Sequence, residues 1–157
     1  MGRSQGTWAE VLDHAKQRLA FLEETHGLRR RQEGRTPATV LRYRGRELGL
    51  EVVFEWREAM VDLLVVRLSD GALPAGGYYM HEGRRIRRPL GEVTAGSFPD
   101  ETGRLREAYR LRDPDRYHRM KLQLDVYAEV LRTVAGDLLR RGQEVFEPPD
   151  PGDRRMP

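Results

Sequence analysis

The chain has 157 residues, 34% of them charged and 38% hydrophobic, with a formal net charge of +3. That length fits one domain with a modest core, and a mean hydropathy of −0.72 leaves much of the chain in water. The absence of cysteine excludes disulfides, thiolate chemistry and Cys-based zinc sites, and the near balance of acids and bases argues against a dedicated nucleic-acid binder.

Of the 28 basic residues only Lys16 and Lys121 are lysine. That bias fits either codon usage or recognition of phosphate and carboxylate by guanidinium forks. The first residues, MGRSQGTWAEVLDHAKQ, carry no apolar run, so no signal peptide is expected. No stretch reaches the roughly 18 apolar residues of a membrane span, and the expected compartment is the cytoplasm.

Residues 1–6 read as a flexible polar lead, and Thr7-Trp8-Ala9-Glu10 as a capping box. A helix is expected from Trp8 to Thr25, because Trp8, Val11, Leu12, Ala15, Leu19 and Leu22 recur at helical spacing. Gly27 then supplies a left-handed stop, with Leu28 as its apolar contact. Residues 29–37, RRRQEGRTP, read as a basic loop, either a solvated connector or an anionic contact surface.

The strongest signal is Leu48–Leu68. Leu50, Val52, Phe54 and Trp56 alternate with Glu51, Val53 and Glu55, and the alternation resumes at Val61, Leu63 and Val65. Ala38–Tyr43 reads as a preceding strand, joined by a tight Arg44-Gly45 turn. That turn pairs Tyr43 with Arg46, Arg42 with Glu47 and Leu41 with Leu48. A loop over 57–60 would set Trp56 opposite Val61, Phe54 opposite Leu63 and Val52 opposite Val65. The reverse face, with Val53, Leu64 and Val66 beside Glu51, Glu55 and Asp62, is too apolar for open water and too charged for a core. A loop or a partner is expected to cover it.

Residues 69–77 read as a connector, Tyr78–Glu82 as a fourth strand, Gly83 as a turn into Arg84–Arg88, and 89–103 as loop. A short helix is expected over 105–111. Asp113-Pro114 reads as the start of a long helix to about Arg141. Its seam is Tyr117, Met120, Leu124, Tyr127, Leu131, Val134 and Leu138, widened by Val126, Val130 and Leu139. Gly142 stops it, and 143–157 reads as a disordered tail. The expected fold is α+β: an antiparallel sheet of about four strands in a single domain over 7–142, with both long helices packed on one face.

Catalytic motifs are sparse. His14 and His26 read as helix-surface residues. His81-Glu82 becomes a base with an orienting acid only if folding adds a third partner. Tyr78, Tyr79 and Met80 read as sheet packing. Arg112 and His118, with five residues between them, resemble the catalytic motif of the HEPN ribonucleases. That resemblance implies a pocket shared by the two side chains, but Pro114 falls between them and the chain is rich in strand. Glu47, Glu51, Glu55 and Glu58 lack a convergent His or Asp for a metal. Ser97 in TAGSFP is not a nucleophile elbow, and phosphate-loop glycine patterns are absent. No cofactor or metal is expected.

Two stretches together carry a family resemblance: Phe21-Leu22-Glu23-Glu24 with Gly27-Leu28, and Tyr43-Arg44-Gly45-Arg46-Glu47-Leu48 leading to Val52–Trp56, an Arg57 turn and Val61–Leu68. Over residues 19–70 the chain is similar to small bacterial α+β proteins encoded beside polymorphic toxins and read as immunity-type proteins. The resemblance implies a non-enzymatic binding or accessory module that occludes or scaffolds another protein. The contact residues expected from charge are Arg29, Arg30, Arg31, Glu51, Glu55, Arg84, Arg85, Arg87 and Arg88. The alternatives are nucleic-acid binding through the same arginines, and a ribonuclease using Arg112 and His118.

Overall fold

The structure, a computed structural model, describes residues 3–35 and 38–147. The expected positions Met1–Gly2, Thr36-Pro37 and the tail beyond Glu147 lie outside the described residues. The fold is α+β. A five-stranded antiparallel sheet has the order β1-β2-β3-β4-β7, from β1 (Arg29–Arg35), β2 (Ala38–Arg44), β3 (Leu48–Glu55), β4 (Met60–Arg67) and β7 (Arg87–Pro89). A separate two-stranded ribbon pairs β5 (Met80–His81) with β6 (Arg84–Arg85).

Leu41, Tyr43, Leu50, Val52, Phe54, Val61 and Val65 form one sheet face and are all buried. Helices α1 (Arg3–Arg18), α2 (Ala20–Glu24) and α5 (Arg116–Arg141) cover it. Six of the seven seam residues of α5 are buried, and Tyr117 packs at the edge of the core. Each large apolar side chain buried here stabilises by roughly 1.5–3 kcal/mol. An aromatic pile closes one end. Trp8 stacks on Trp56 at 4.9 Å, Trp56 stacks on Phe54 at 5.4 Å, and the Trp8 indole donates to the Tyr117 hydroxyl.

Several expectations are corrected. The first helix starts at Arg3, so Thr7 lies inside it rather than capping it, and the helix breaks at Leu19, where φ is −101° and ψ is 8°. The stop at Gly27 forms as expected, with φ +69° and amides of Gly27 and Leu28 donating to the carbonyls of Glu23 and Leu22. Residues 29–35 are a strand, not a loop. They form a seven-pair ladder with β2, from Arg29 opposite Arg44 to Arg35 opposite Ala38.

Both hairpin registers also differ from expectation. Leu41 faces Val52 and Tyr43 faces Leu50, while Phe54 faces Val61 and Val52 faces Leu63. Both are even displacements, so every side chain keeps its expected face. The Tyr78–Glu82 strand does not join the main sheet. Only Met80 and His81 are extended, and they pair with Arg84 and Arg85 through a Glu82-Gly83 turn in which both residues have positive φ.

The stretch 89–103 holds two helices, α3 (Leu90–Thr94) and α4 (Pro99–Tyr109), and α4 absorbs most of the expected 105–111 helix. The cap of α5 is Asp115, whose carboxylate accepts from the amides of Tyr117 and His118. Asp113 instead accepts from the Asp115 amide. Past Gly142, residues Gly142–Phe146 form a 3-10 helix with Val145 buried, so the expected tail begins with ordered structure.

Candidate functional site

The sheet's reverse face is where charge gathers. Arg42, Glu51, Val53, Leu64, Val66 and Arg87 share it by register. A strap over 69–79 crosses it, with Leu73 seated against Gly49; a Cβ there would lie 2.5 Å from Leu73 Cδ2. Two buried arginines hold the strap. Arg87 donates from Nε to Glu51 Oε1 at 2.7 Å and from Nη2 to Glu51 Oε2 at 3.0 Å. It also donates to the carbonyls of Tyr78 and Pro74. Arg42 donates from Nε to Glu51 Oε2, which it shares with Arg87, at 2.9 Å, to Glu33 at 3.1 Å and to the Pro74 carbonyl.

Glu51 and Arg87 were expected to meet a partner, but they are 4% and 0% exposed. Their charges are used inside the fold, because buried ions persist only when paired and hydrogen-bonded. Arg85 and Arg88 are also engaged: both hold Glu92, and Arg88 donates to the Val145 carbonyl. Arg84 is exposed on the small ribbon.

The remaining candidates do converge. Arg29 and Arg31 lie on the reverse face directly across from Arg44 and Arg42. Like charges set opposite each other destabilise a sheet. Arg42 is neutralised by Glu33 and Glu51. Arg29, Arg31 and Arg44 are exposed and have no ion pair among the described residues. They border a recess of about 400 Å³ whose other wall is Ala72 and Leu73 of the strap. Arg30 points to the opposite face and pairs with Glu23 at 3.4 Å. Arg44 belongs to this group although its own segment gives no hint of it; only reading 29–35 as a strand places it opposite Arg29.

The other end of the same face is acidic. Glu55 and Asp62 border a cavity of about 270 Å³ over Val40, Val53 and Leu64. Burial raises the carboxyl of Asp62 above its ordinary value. Glu55 is raised by burial first, then by the charges of Asp62 and Glu58.

The candidate histidines are exposed on different elements, His118 on α5 and His81 on the small ribbon, and Arg112 is exposed just before α5. His118 Nδ1 lies 2.7 Å from Asp113 Oδ2 at the exposed start of α5, and that bond holds the Asp113 carboxyl below its ordinary value. His81 faces only Glu82, at 3.7 Å, on the exposed ribbon. His14 bridges α1 to Asp125 of α5. Among the described residues no three His, Asp or Glu groups converge to hold a metal, and no helix is long and apolar enough to cross a membrane.

Compared with models of known protein families, with curated proteins and with solved structures, the chain matches none. The functional reading therefore rests on the fold and on this charged face.

Proposed function

We propose that the protein is a non-enzymatic binding module that captures an extended, acidic segment of another protein along β1. The observation that carries this reading is that β1 is an edge strand of the sheet, seven residues long against three in β7 at the other edge. No described segment pairs with its outer side, and Arg29 and Arg31 on its reverse face have no ion pair among the described residues.

An added strand finds a row of unused backbone donors and acceptors there. Its alternate side chains fall about 6.6 Å apart, the same spacing as Arg29 and Arg31. Acids at those alternate positions would offset the Arg29–Arg44 repulsion, and charge complementarity would set the rate of encounter. The same arginines repel basic strands and must be desolvated by apolar ones, which protects the edge from indiscriminate pairing. An immunity-type or accessory protein that occludes a partner's working surface fits this mode.

The test uses three synthetic heptapeptides: glutamate alternating with threonine, lysine alternating with threonine, and the acidic composition with its glutamates in one block. The alternating acidic peptide is expected to bind and to protect β1 amides from hydrogen exchange, with the other two weaker. Absence of binding at low salt would overturn the reading. So would tighter binding of single-stranded oligonucleotide with steep salt dependence and no added protection on β1; nucleic acid has no use for a free strand edge.

A further inference from the structure

A cavity of about 580 Å³ lies among β4, α3, α4 and α5. Its origin is topological. Strand β7 pairs with β4 only at Leu64–Val66, and the chain then turns into α3 at Leu90. The first half of β4 therefore has no strand on that side. Side chains of α5 meet its backbone instead: Gln123 Oε1 accepts from the Val61 amide at 3.1 Å, and the Tyr127 hydroxyl donates to the Val61 carbonyl at 2.8 Å. The gap left between strand edge and helices is the cavity.

Its walls are mainly apolar, with Leu63, Pro89, Leu90 and Leu105 beside the rings of Tyr109 and Tyr127. Two cations border it. Arg106 stands on the last turn of α4 and Arg110 caps that helix. The two are four residues apart on one side of it. Both are exposed, and neither has an ion pair among the described residues. Glu92 also borders the cavity, but Arg85 and Arg88 already hold its carboxylate. Tyr109, 54% exposed, extends the apolar wall to the surface.

We propose that this cavity is a binding site for an amphipathic monoanion: an apolar chain in the gap between β4 and α4, and a carboxylate on Arg106 and Arg110. The volume lies within the roughly 300–1,000 Å³ of small-molecule sites, and such sites combine apolar walls with a few placed polar groups. A planar carboxylate suits guanidinium donors. Asp62 also borders the cavity and repels a second anionic group, which favours a single charged end. The site is separate from the β1 edge and stands or falls independently of it.

The test titrates the protein with decanoate, decanol and decyltrimethylammonium below their micelle concentrations, by calorimetry and by amide chemical shifts. Decanoate is expected to bind with shifts at Leu63, Leu90 and Leu105, and the other two at least about tenfold more weakly. The double change Arg106→Glu and Arg110→Glu is expected to weaken decanoate about tenfold or more. Gly91→Leu supplies the second arm. A Cβ at Gly91 meets only Leu105 Cδ1, at 3.9 Å, so the new side chain grows into the cavity without displacing backbone and should abolish binding. Equal binding of the alcohol or the ammonium, full binding by Gly91→Leu, or no binding of decanoate would overturn the proposal.

Discussion

Glu51 and Arg87, thirty-six positions apart, form a two-point ion pair at 2.7 and 3.0 Å with almost no access to water. The pair ties β3 to the far edge strand and, through the Pro74 and Tyr78 carbonyls, clamps the strap onto the sheet. Removing one partner of a buried pair leaves an uncompensated charge, which costs about 3–5 kcal/mol. Glu51→Ala is therefore expected to lose about that much stability in urea unfolding. Limited proteolysis should then cut first within 69–79. Replacing Arg42, Glu51 and Arg87 together with apolar residues of similar volume is expected to recover part of the loss, since the deeply buried charges leave together, Glu33 keeps access to water, and the Pro74 and Tyr78 carbonyls give up these donors.

Tyr43 shows the opposite situation. It is fully buried on the helix-covered face, its hydroxyl makes no hydrogen bond of good geometry although the Arg30 guanidinium lies beside it, and burial pushes its ionisation up to about 12 against the lowering effect of Arg30. A buried hydroxyl without a partner keeps its desolvation penalty. Tyr43→Phe is expected to leave stability unchanged or raise it by up to about 1 kcal/mol, read as a shifted urea midpoint at constant slope. A loss larger than that would mean the hydroxyl is bonded in solution.

What the sequence disclosed follows from which side chains alternate between water and core. Leu48–Leu68 and the Tyr117–Leu138 seam do so strongly, and their faces are as expected. Residues 29–35 do not, because an edge strand with arginine on both faces has no apolar period to detect. The two register errors, of four and two residues, share one cause. Even displacements leave every residue on its face, so the hydrophobic pattern does not choose among them. Helix α4 carried its signals, Pro99 at its start and Asp100 and Glu101 in its first turn, but Gly96 and Gly103 masked them. The Glu51–Arg87 clamp had no local signal at all. The charged site was half legible: Arg29 and Arg31 stood out by composition, while Arg44 joins them only through the ladder.

Asp62 gives a pH dependence with a definite sign. It makes no hydrogen bond or ion pair among the described residues, and burial holds its carboxyl above the ordinary 3.8. The folded protein thus binds this proton more tightly than the unfolded chain does. Stability from this group is fully present below the unfolded value. It falls as pH rises through the window between the unfolded and folded values, and the penalty persists at neutral pH. Asp62→Asn is expected to flatten that part of the stability–pH curve and to raise stability at pH 7 relative to the parent. A steeper curve, or a less stable variant at pH 7, would show that the ionised carboxylate has a favourable partner.

Arg44 separates folding from binding. It lies directly across from Arg29 at the exposed end of the β1–β2 ladder. Arg44→Glu turns a repulsive cross-strand pair into an attractive one, worth roughly 0.2–1 kcal/mol of added stability. The same change removes one of three uncompensated cations and supplies an internal acid where the proposed partner's acid would sit. Affinity for the alternating acidic heptapeptide is therefore expected to fall about tenfold or more while the unfolding midpoint rises. A substitution that merely damages the fold would lower both quantities. If the midpoint rises and peptide affinity is unchanged, the arginine row is not the contact surface, and strand addition at β1 loses its electrostatic basis.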